Sequence, residues 1–353
     1  MKLFTPLRLR EIEFRNRIGV SPMCQYSAKD GHPGTWHLVH LGSRAVGGAA
    51  LVMTEASAVQ EVGRISPADA GMYLDVHVDS WRPIAEFLKE QGTIPGMQLA
   101  HAGRKASTGE PWLGGGGPLT HEQGGWTPVS STSVPFGAGH PVPHALTHAE
   151  IDQVVADFQQ ATLRALGAGF QFVEIHAAHG YLLHQFYSPL SNDRTDDYGG
   201  SFENRIRLLL RVTQAVRETL PQTLPLLVRI SAIDWKEGGW DLEQSVELCR
   251  RLKGLGVDLV DVSSSGILPG LKIPAGPGYQ VEFAGAIRRQ AGMATAAVGM
   301  ITDPVQAQSI IATGQADMVF LAREMLRDPY WPRRAAAALQ TRIKPPVQYE
   351  RAW

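Results

Sequence analysis

The 353-residue sequence predicts an α/β fold, a (β/α)8 TIM barrel with one long lid-like loop between its third and fourth strands. Three observations carry that prediction. Eight short β-like runs recur along the chain, each followed by a loop and an amphipathic stretch, and eight strands close a parallel barrel. Several runs are continuously apolar, as in Leu226-Leu-Val228 and Met318-Val-Phe-Leu321, the pattern of strands buried on both faces. Polar, chemistry-bearing residues follow many of these runs, whereas an open doubly wound sheet gathers them near one switch point.

The strands are expected at Arg17–Val20, Ala50–Thr54, Ile94–Leu99, Phe172–His176, Leu226–Ile230, Leu259–Ser263, Ala294–Val298 and Met318–Leu321. Helix-end signals sit between them. Thr147-His-Ala-Glu150 fits a capping box, after which Ile151, Val154, Val155, Phe158 and Ala161 share one face. Asp303-Pro304 opens another helix, and Leu242–Leu252 forms a third, closed by Gly254. Residues 109–146 are rich in Gly, Pro, Ser, Thr and His and include Gly114-Gly-Gly-Gly117. An undecorated loop of that length is more often a lid or binding loop than a linker. No fixed-period repeat and no clean boundary divides the chain, so residues 1–353 read as one domain.

Hydrophobic residues make up 44% and charged residues 19%, ordinary for a soluble protein with a substantial core. Lys plus Arg total 33 against 34 Asp plus Glu, a net charge of -1, so no nucleic-acid or anionic-membrane partner is expected. The two cysteines, Cys24 and Cys249, make neither a disulfide framework nor a four-cysteine iron–sulfur site. No run approaches the roughly 18 to 20 apolar residues of a membrane helix, and Pro6 interrupts any signal-like start, so the expected location is cytoplasmic. Neither G-x-G-x-x-G after a strand nor a P-loop is present.

The strongest constellation is His176-Ala-Ala-His179-Gly-Tyr181, at the C-terminal end of the fourth strand, where active sites of such barrels lie. If the chain turns at Gly180, two imidazoles converge on one oxygen, as a carbonyl becoming an enolate requires. Tyr181 is a phenol that keeps its proton at neutral pH and can donate it. A zinc site with His184 or Glu174 nearby, and plain structural histidines, are rival readings of the same residues. Ser21-Pro-Met-Cys24-Gln-Tyr26 follows the first strand and aims Cys24 and Tyr26 at the barrel mouth, although a lone cysteine is mostly a small buried hydrophobe. Val298-Gly-Met300 and Leu321-Ala-Arg-Glu-Met-Leu-Arg-Asp-Pro329 follow strands seven and eight, where barrels often hold phosphate, with Arg323 either a phosphate fork or an ordinary surface arginine. Gln98 offers an amide to a ring edge. Arg229, inside an apolar strand, needs an electron-rich ligand or an internal salt bridge.

These residues resemble the Old Yellow Enzyme family of FMN-dependent ene-reductases over nearly the whole chain. The carriers are Phe4-Thr-Pro6-Leu, Asn16-Arg17-Ile18, Ser21-Pro-Met-Cys24-Gln-Tyr26, and Gln98-Leu-Ala-His-Ala-Gly-Arg-Lys105. They continue with Glu174-Ile-His-Ala-Ala-His-Gly-Tyr181, Ser188-Pro-Leu-Ser-Asn-Asp-Arg-Thr-Asp-Asp-Tyr-Gly-Gly-Ser201 and Glu203-Asn-Arg205. Cys24, Tyr26, the histidine pair and the terminal Gln348-Tyr-Glu-Arg-Ala-Trp353 look like the bacterial, thermophilic-like subclass. The resemblance implies tight, non-covalent FMN held by Ser21, Pro22, Met23, Cys24, Ala56, Gln98 and Arg229, with its phosphate at Gly299, Ala322 and Arg323. It implies an NADPH dehydrogenase that passes hydride through FMN N5 to the β-carbon of an α,β-unsaturated carbonyl, maleimide or nitro compound. His176 and His179 would bind the carbonyl oxygen, Tyr181 would protonate the α-carbon, and Tyr26 would face the substrate. It also implies a homodimer or dimer-based tetramer whose 344–353 tail carries Arg351 and Trp353 to the neighbouring active site. No metal is expected. Ala322 stands where the family often has glycine, which predicts slight crowding of the phosphate loop.

Overall fold

The computed structural model describes every residue except Gly114. Eight parallel strands close into a barrel: β1 (Ile18–Val20), β2 (Leu51–Ala58), β3 (Ile94–Ala100), β4 (Phe172–Ala177), β5 (Leu226–Ser231), β6 (Leu259–Ser263), β7 (Ala294–Ala297) and β8 (Met318–Leu321). Each pairs with the next in the chain, and β8 returns to β1 through Val319 opposite Ile18. All eight expected strands are present. The second runs on past Thr54 to Ala58, because a register shift between Met53 and Ala56 keeps it paired with β3.

Helices Thr35–Val46 (α1), Val76–Glu90 (α2), His148–Gly167 (α3), Phe202–Thr219 (α4), Leu242–Gly254 (α5), Val281–Gln290 (α6), Pro304–Ala312 (α7) and Trp331–Ala338 (α8) surround the strands. Their ends follow local chemistry. Thr147 Oγ1 accepts the Glu150 N–H while the Glu150 carboxylate accepts the Thr147 N–H at 2.7 Å. The Asp303 carboxylate accepts the Gln306 N–H at 2.9 Å, and Pro304 fills the first turn of α7. The stop of α5 differs from expectation. Gly254 is still helical, and the chain reverses at Gly256, whose φ is +86°.

The lower half of the barrel is an apolar plug built from Leu51, Met53, Phe172, Leu227, Leu259, Met318 and Phe320. A hairpin of Leu7–Leu9 and Ile12–Phe14 closes it from below, and Phe14 meets Phe172 edge-on at 6.3 Å. Room for Phe172 comes from Gly96 on the neighbouring strand, where a Cβ would lie 1.8 Å from the ring.

The 109–146 segment is not bare loop. It carries the two-residue strands Val129–Ser130 and His144–Ala145 and is tied down on the barrel's upper face. Trp126 Nε1 donates to the Val62 carbonyl at 2.9 Å, and Arg194 Nη1 donates to the carbonyls of Ser131 and Leu146. Gly114, within the four-glycine run, lies outside the described residues.

Gly96→Ala is expected to destabilise the fold by about 1–3 kcal/mol through overpacking against Phe172. Gly254→Ala, with open space at its Cβ position, should stabilise by about 0.5–1 kcal/mol. Denaturant midpoints of the two variants check both signs.

Candidate active site at the barrel mouth

His176 is 4% exposed and lies near the end of β4. Beyond it the chain turns through His179 (φ +57°) and Gly180 (φ +73°), which brings the following side chains back over the strand. The His176 and His179 ring centroids lie 5.2 Å apart, and those of His176 and Tyr181 lie 4.9 Å apart. Gly180 is required twice over. Besides its left-handed backbone, a Cβ there would lie 2.0 Å from the Gly266 carbonyl oxygen, in the loop after β6. A Cβ on Gly266 would in turn strike the His179 backbone at 2.4 Å.

Polar contacts fix the turn on each side. The His179 N–H donates to Ser231 Oγ at 2.9 Å, and the Gly180 N–H donates to His184 Nδ1 at 2.9 Å. With Nδ1 accepting, His184 holds its proton on Nε2, which lies 2.9 Å from the buried Asp234 Oδ1. From below, Lys105 Nζ donates to the His179 carbonyl at 2.9 Å and to the Gly266 carbonyl at 3.3 Å.

The electrostatics favour neutral hydrogen-bond donors. His176 Nδ1 accepts the Ala178 N–H at 3.2 Å, so its ring proton is on Nε2. Burial first, and the Arg229 cation second, hold both His176 and His179 well below the ordinary imidazole range. His179 Nε2 lies 2.7 Å from Ser263 Oγ. Burial also pushes the Tyr181 phenol well above its usual value, so it carries its proton. The zinc reading loses its extra ligands: His184 is committed to Asp234 and Gly180, and Glu174 accepts from Gln98 Nε2 at 2.7 Å. Among the described residues no three His, Cys, Asp or Glu side chains converge as a metal-ligating group.

The other predicted residues ring the same mouth. The loop carrying Ser21, Pro22, Met23, Cys24 and Tyr26 is anchored where the Gln25 N–H donates to Glu55 Oε2 at 2.9 Å, while Glu55 Oε1 meets His37 Nε2 at 2.9 Å. Cys24, Tyr26, Trp126 and Tyr181 pack against Ile65, Ala102 and Ala106. Burial, then the carboxylates of Asp69 and Glu55, keep the Cys24 thiol protonated. Ala56 lies beside Gln98 in register, and Gln98 beside Glu174. Arg229 contacts Asp261 at 3.0 Å, so the internal salt bridge exists, yet Arg229 also lines the cavity. That cavity, about 270 Å³, is shared by Arg229, Ser263, Gln280, Gly299, Ala322 and Arg323. Ala322 has φ -105°, so its position does not demand the left-handed backbone that would favour glycine.

Two sequence-predicted residues are elsewhere. Arg351 and Trp353 do not reach the mouth of their own barrel; Trp353 packs on Tyr330 and under the Arg333 guanidinium, 4.3 Å from its ring centroid. Conversely, the site uses Lys105, Ser263 and Gln280, which the sequence reading did not single out. Ser263 and Lys105 had signals: one ends a barrel strand, and the other closes a quoted motif.

The donor set fits FMN. Ser21 Oγ and Glu174 Oε2 are buried with no hydrogen-bond partner within the chain, and Arg229 Nε and Asp261 Oδ2, 3.0 Å apart, pair as ions without hydrogen-bond geometry. Such atoms match the donors and acceptors on the edge of a polar ring. Gly299 has φ +124°, a Cβ there would lie 2.9 Å from Gln280 Nε2, and it lines the same cavity as Arg323, whose guanidinium suits a phosphate. Gly299→Val is therefore expected to weaken FMN binding at least about tenfold, or about 1.4 kcal/mol. Fluorescence titration of the apoprotein with FMN checks this, with circular dichroism as the test that folding is unchanged.

The chain is similar to known proteins over nearly its whole length. The model of the NADH:flavin oxidoreductase / NADH oxidase family matches residues 2–342. An NADPH dehydrogenase of Geobacillus sp. (strain WCH70) is 46% identical over 99% of this chain and 98% of its own length. That of Bacillus subtilis (strain 168) is 45% identical, over 100% and 99%. The structure of morphinone reductase in complex with tetrahydroNAD superposes with a TM-score of 0.79 at 27% identity, covering 99% of this chain and 93% of that one. The chain belongs to the NADH:flavin oxidoreductase / NADH oxidase family, of the Old Yellow Enzyme type, and is an FMN-dependent oxidoreductase on a (β/α)8 barrel.

Proposed function

We propose that this enzyme takes reducing equivalents from NADPH and reduces activated carbon–carbon double bonds, in α,β-unsaturated carbonyl, maleimide or nitro compounds. The observation that carries the reading is the convergence of His176, His179 and Tyr181 as three neutral hydrogen-bonding groups on one turn. The names of the NADPH dehydrogenases and of morphinone reductase support a nicotinamide reductant. A reaction drawing on NADPH also favours a cytoplasmic setting.

Bound FMN would supply hydride transfer between NADPH and the substrate's β-carbon. The chain's own part is binding, polarisation and proton delivery. Ser21, Pro22, Met23, Cys24, Ala56, Gln98 and Arg229 would hold the ring, and Gly299, Ala322 and Arg323 would hold the phosphate. His176, through Nε2–H, and His179 donate to the substrate oxygen and stabilise the negative charge that grows there. Tyr181 gives its phenolic proton to the α-carbon. Tyr26 and Trp126 wall the site, with the 109–146 segment as its cover.

A second part of the proposal concerns assembly. The tail exposes Val347, Tyr349 and Trp353, residue types that anchor interfaces. We place residues 344–353 at a subunit contact in a homodimer or dimer-based tetramer, where Arg351 and Trp353 reach the neighbour's substrate site.

His176→Ala is expected to slow reduction of cyclohexenone by about 10²–10³ with FMN still bound, the usual worth of one such donor. Tyr181→Phe should slow the enone step more than flavin reduction by NADPH. Anaerobic stopped-flow measurement of the two half-reactions tests both. Wild-type enone rates in flavin-replete His176→Ala, or equal slowing of both steps in Tyr181→Phe, would remove the assigned roles.

A further inference from the structure

Lys105 is an ammonium at the edge of the site with no carboxylate within ion-pair distance among the described residues. Its hydrogen bonds go to two carbonyls, those of His179 and Gly266. A neutral amide could serve carbonyls as well, so those bonds do not explain a charge held partly out of water. Burial, then the adjacent Arg104 guanidinium, lower its pKa to about 8, a measure of how poorly the surroundings repay it. The groups it does face are aromatic. Nζ lies 5.1 Å from the Tyr181 ring centroid and 4.7 Å from that of Phe136, which the 109–146 segment brings over it.

We propose that Lys105 is a positioning residue for Tyr181, its ammonium stabilising the phenolate that Tyr181 becomes on giving up its proton, with Phe136 shielding the pair from water. This rests on the reading of Tyr181 as the proton donor. In the step, the Tyr181 O–H bond breaks and its electron pair stays on the phenolate oxygen. A C–H bond forms at the substrate α-carbon from the enolate's electron pair, and solvent later restores the phenol's proton. Lys105 keeps its own protons throughout. The carbonyl contacts give the ammonium a fixed seat, and the same contacts tie the loops after β4 and β6, so charge and turn are set together. A unit charge about 5 Å from a phenolate oxygen, at an effective dielectric near 20, shifts the phenol's equilibrium by roughly two orders of magnitude, and Nζ lies 5.1 Å from the Tyr181 ring centroid.

A double-mutant cycle reads this directly. Lys105→Met, Tyr181→Phe and the double variant are compared, as FMN-loaded enzymes, in the anaerobic stopped-flow reaction of the NADPH-reduced protein with cyclohexenone. The expected result is a roughly 10- to 100-fold slowing by Lys105→Met when Tyr181 is present, and less than about threefold slowing when Phe replaces it. The solvent isotope effect on the enone step should rise in Lys105→Met alone. Equal slowing in both backgrounds would reduce Lys105 to a brace of the turn and overturn the proposal, as would no slowing at all. An enone step unaffected by Tyr181→Phe itself would instead bring down the underlying proton-donor reading, and the proposal with it. Should Lys105→Met fail to fold, Lys105→Gln, which keeps amide donors for the carbonyls without the charge, takes its place in the same cycle.

Discussion

Gly180 and Gly266 meet backbone to backbone, with no room for a side chain on either, and the active mouth of the barrel hangs on that contact. It forces the β4 loop into two consecutive left-handed residues, His179 and Gly180. A β-carbon at His179 tolerates that conformation only at some cost, met here by bonds from Ser231, His184 and Lys105 around the turn. The reward is directional. Imidazoles three residues apart would diverge on a continuing strand, and the turn brings their ring centroids to 5.2 Å beside a phenol.

Around that point the barrel changes character along its axis. Below, Phe14, Phe172 and Phe320 fill the interior and exclude water. Above, Gln98, Glu174, Arg229 and Asp261 place polar groups on four neighbouring strands, β3 to β6. Such a layer is costly inside a protein unless it meets a ligand. Burial raises Glu174 well above the carboxylate range and Asp261 to about 6, while Arg229 pulls both back. After burial, the same arginine depresses His176 and His179, so one cation both lines the cavity and helps keep the two imidazoles neutral.

Much of this is legible in the sequence, for definable reasons. The strands announce themselves because parallel strands buried on both faces must be continuously apolar. His176, His179 and Tyr181 stand out because three chemical groups share six residues. The N-terminal hairpin does not, because its turn at Arg10 (φ +53°) lacks a glycine or asparagine signal; a salt bridge to Asp258 and a bond to the Gly256 carbonyl, distant in sequence, hold it. The extension of β2 is hidden by Glu55, whose charge looks like a strand end until His37 and the Gln25 N–H are seen to satisfy it. Lys105 and Ser263 are single polar residues whose meaning comes only from what the fold sets beside them. Arg229 has two readings in sequence, ion pair or ligand contact, and the fold gives it both positions at once.

The central claim is that one mouth serves two substrates in turn, a nicotinamide and an activated alkene. The most direct measurement is the visible spectrum of the purified holoprotein under anaerobic conditions, first with NADPH and then with cyclohexenone. The account predicts a yellow protein that bleaches with NADPH and regains its colour when the enone is added. A protein that bleaches but recovers its colour only when oxygen is admitted would contradict it.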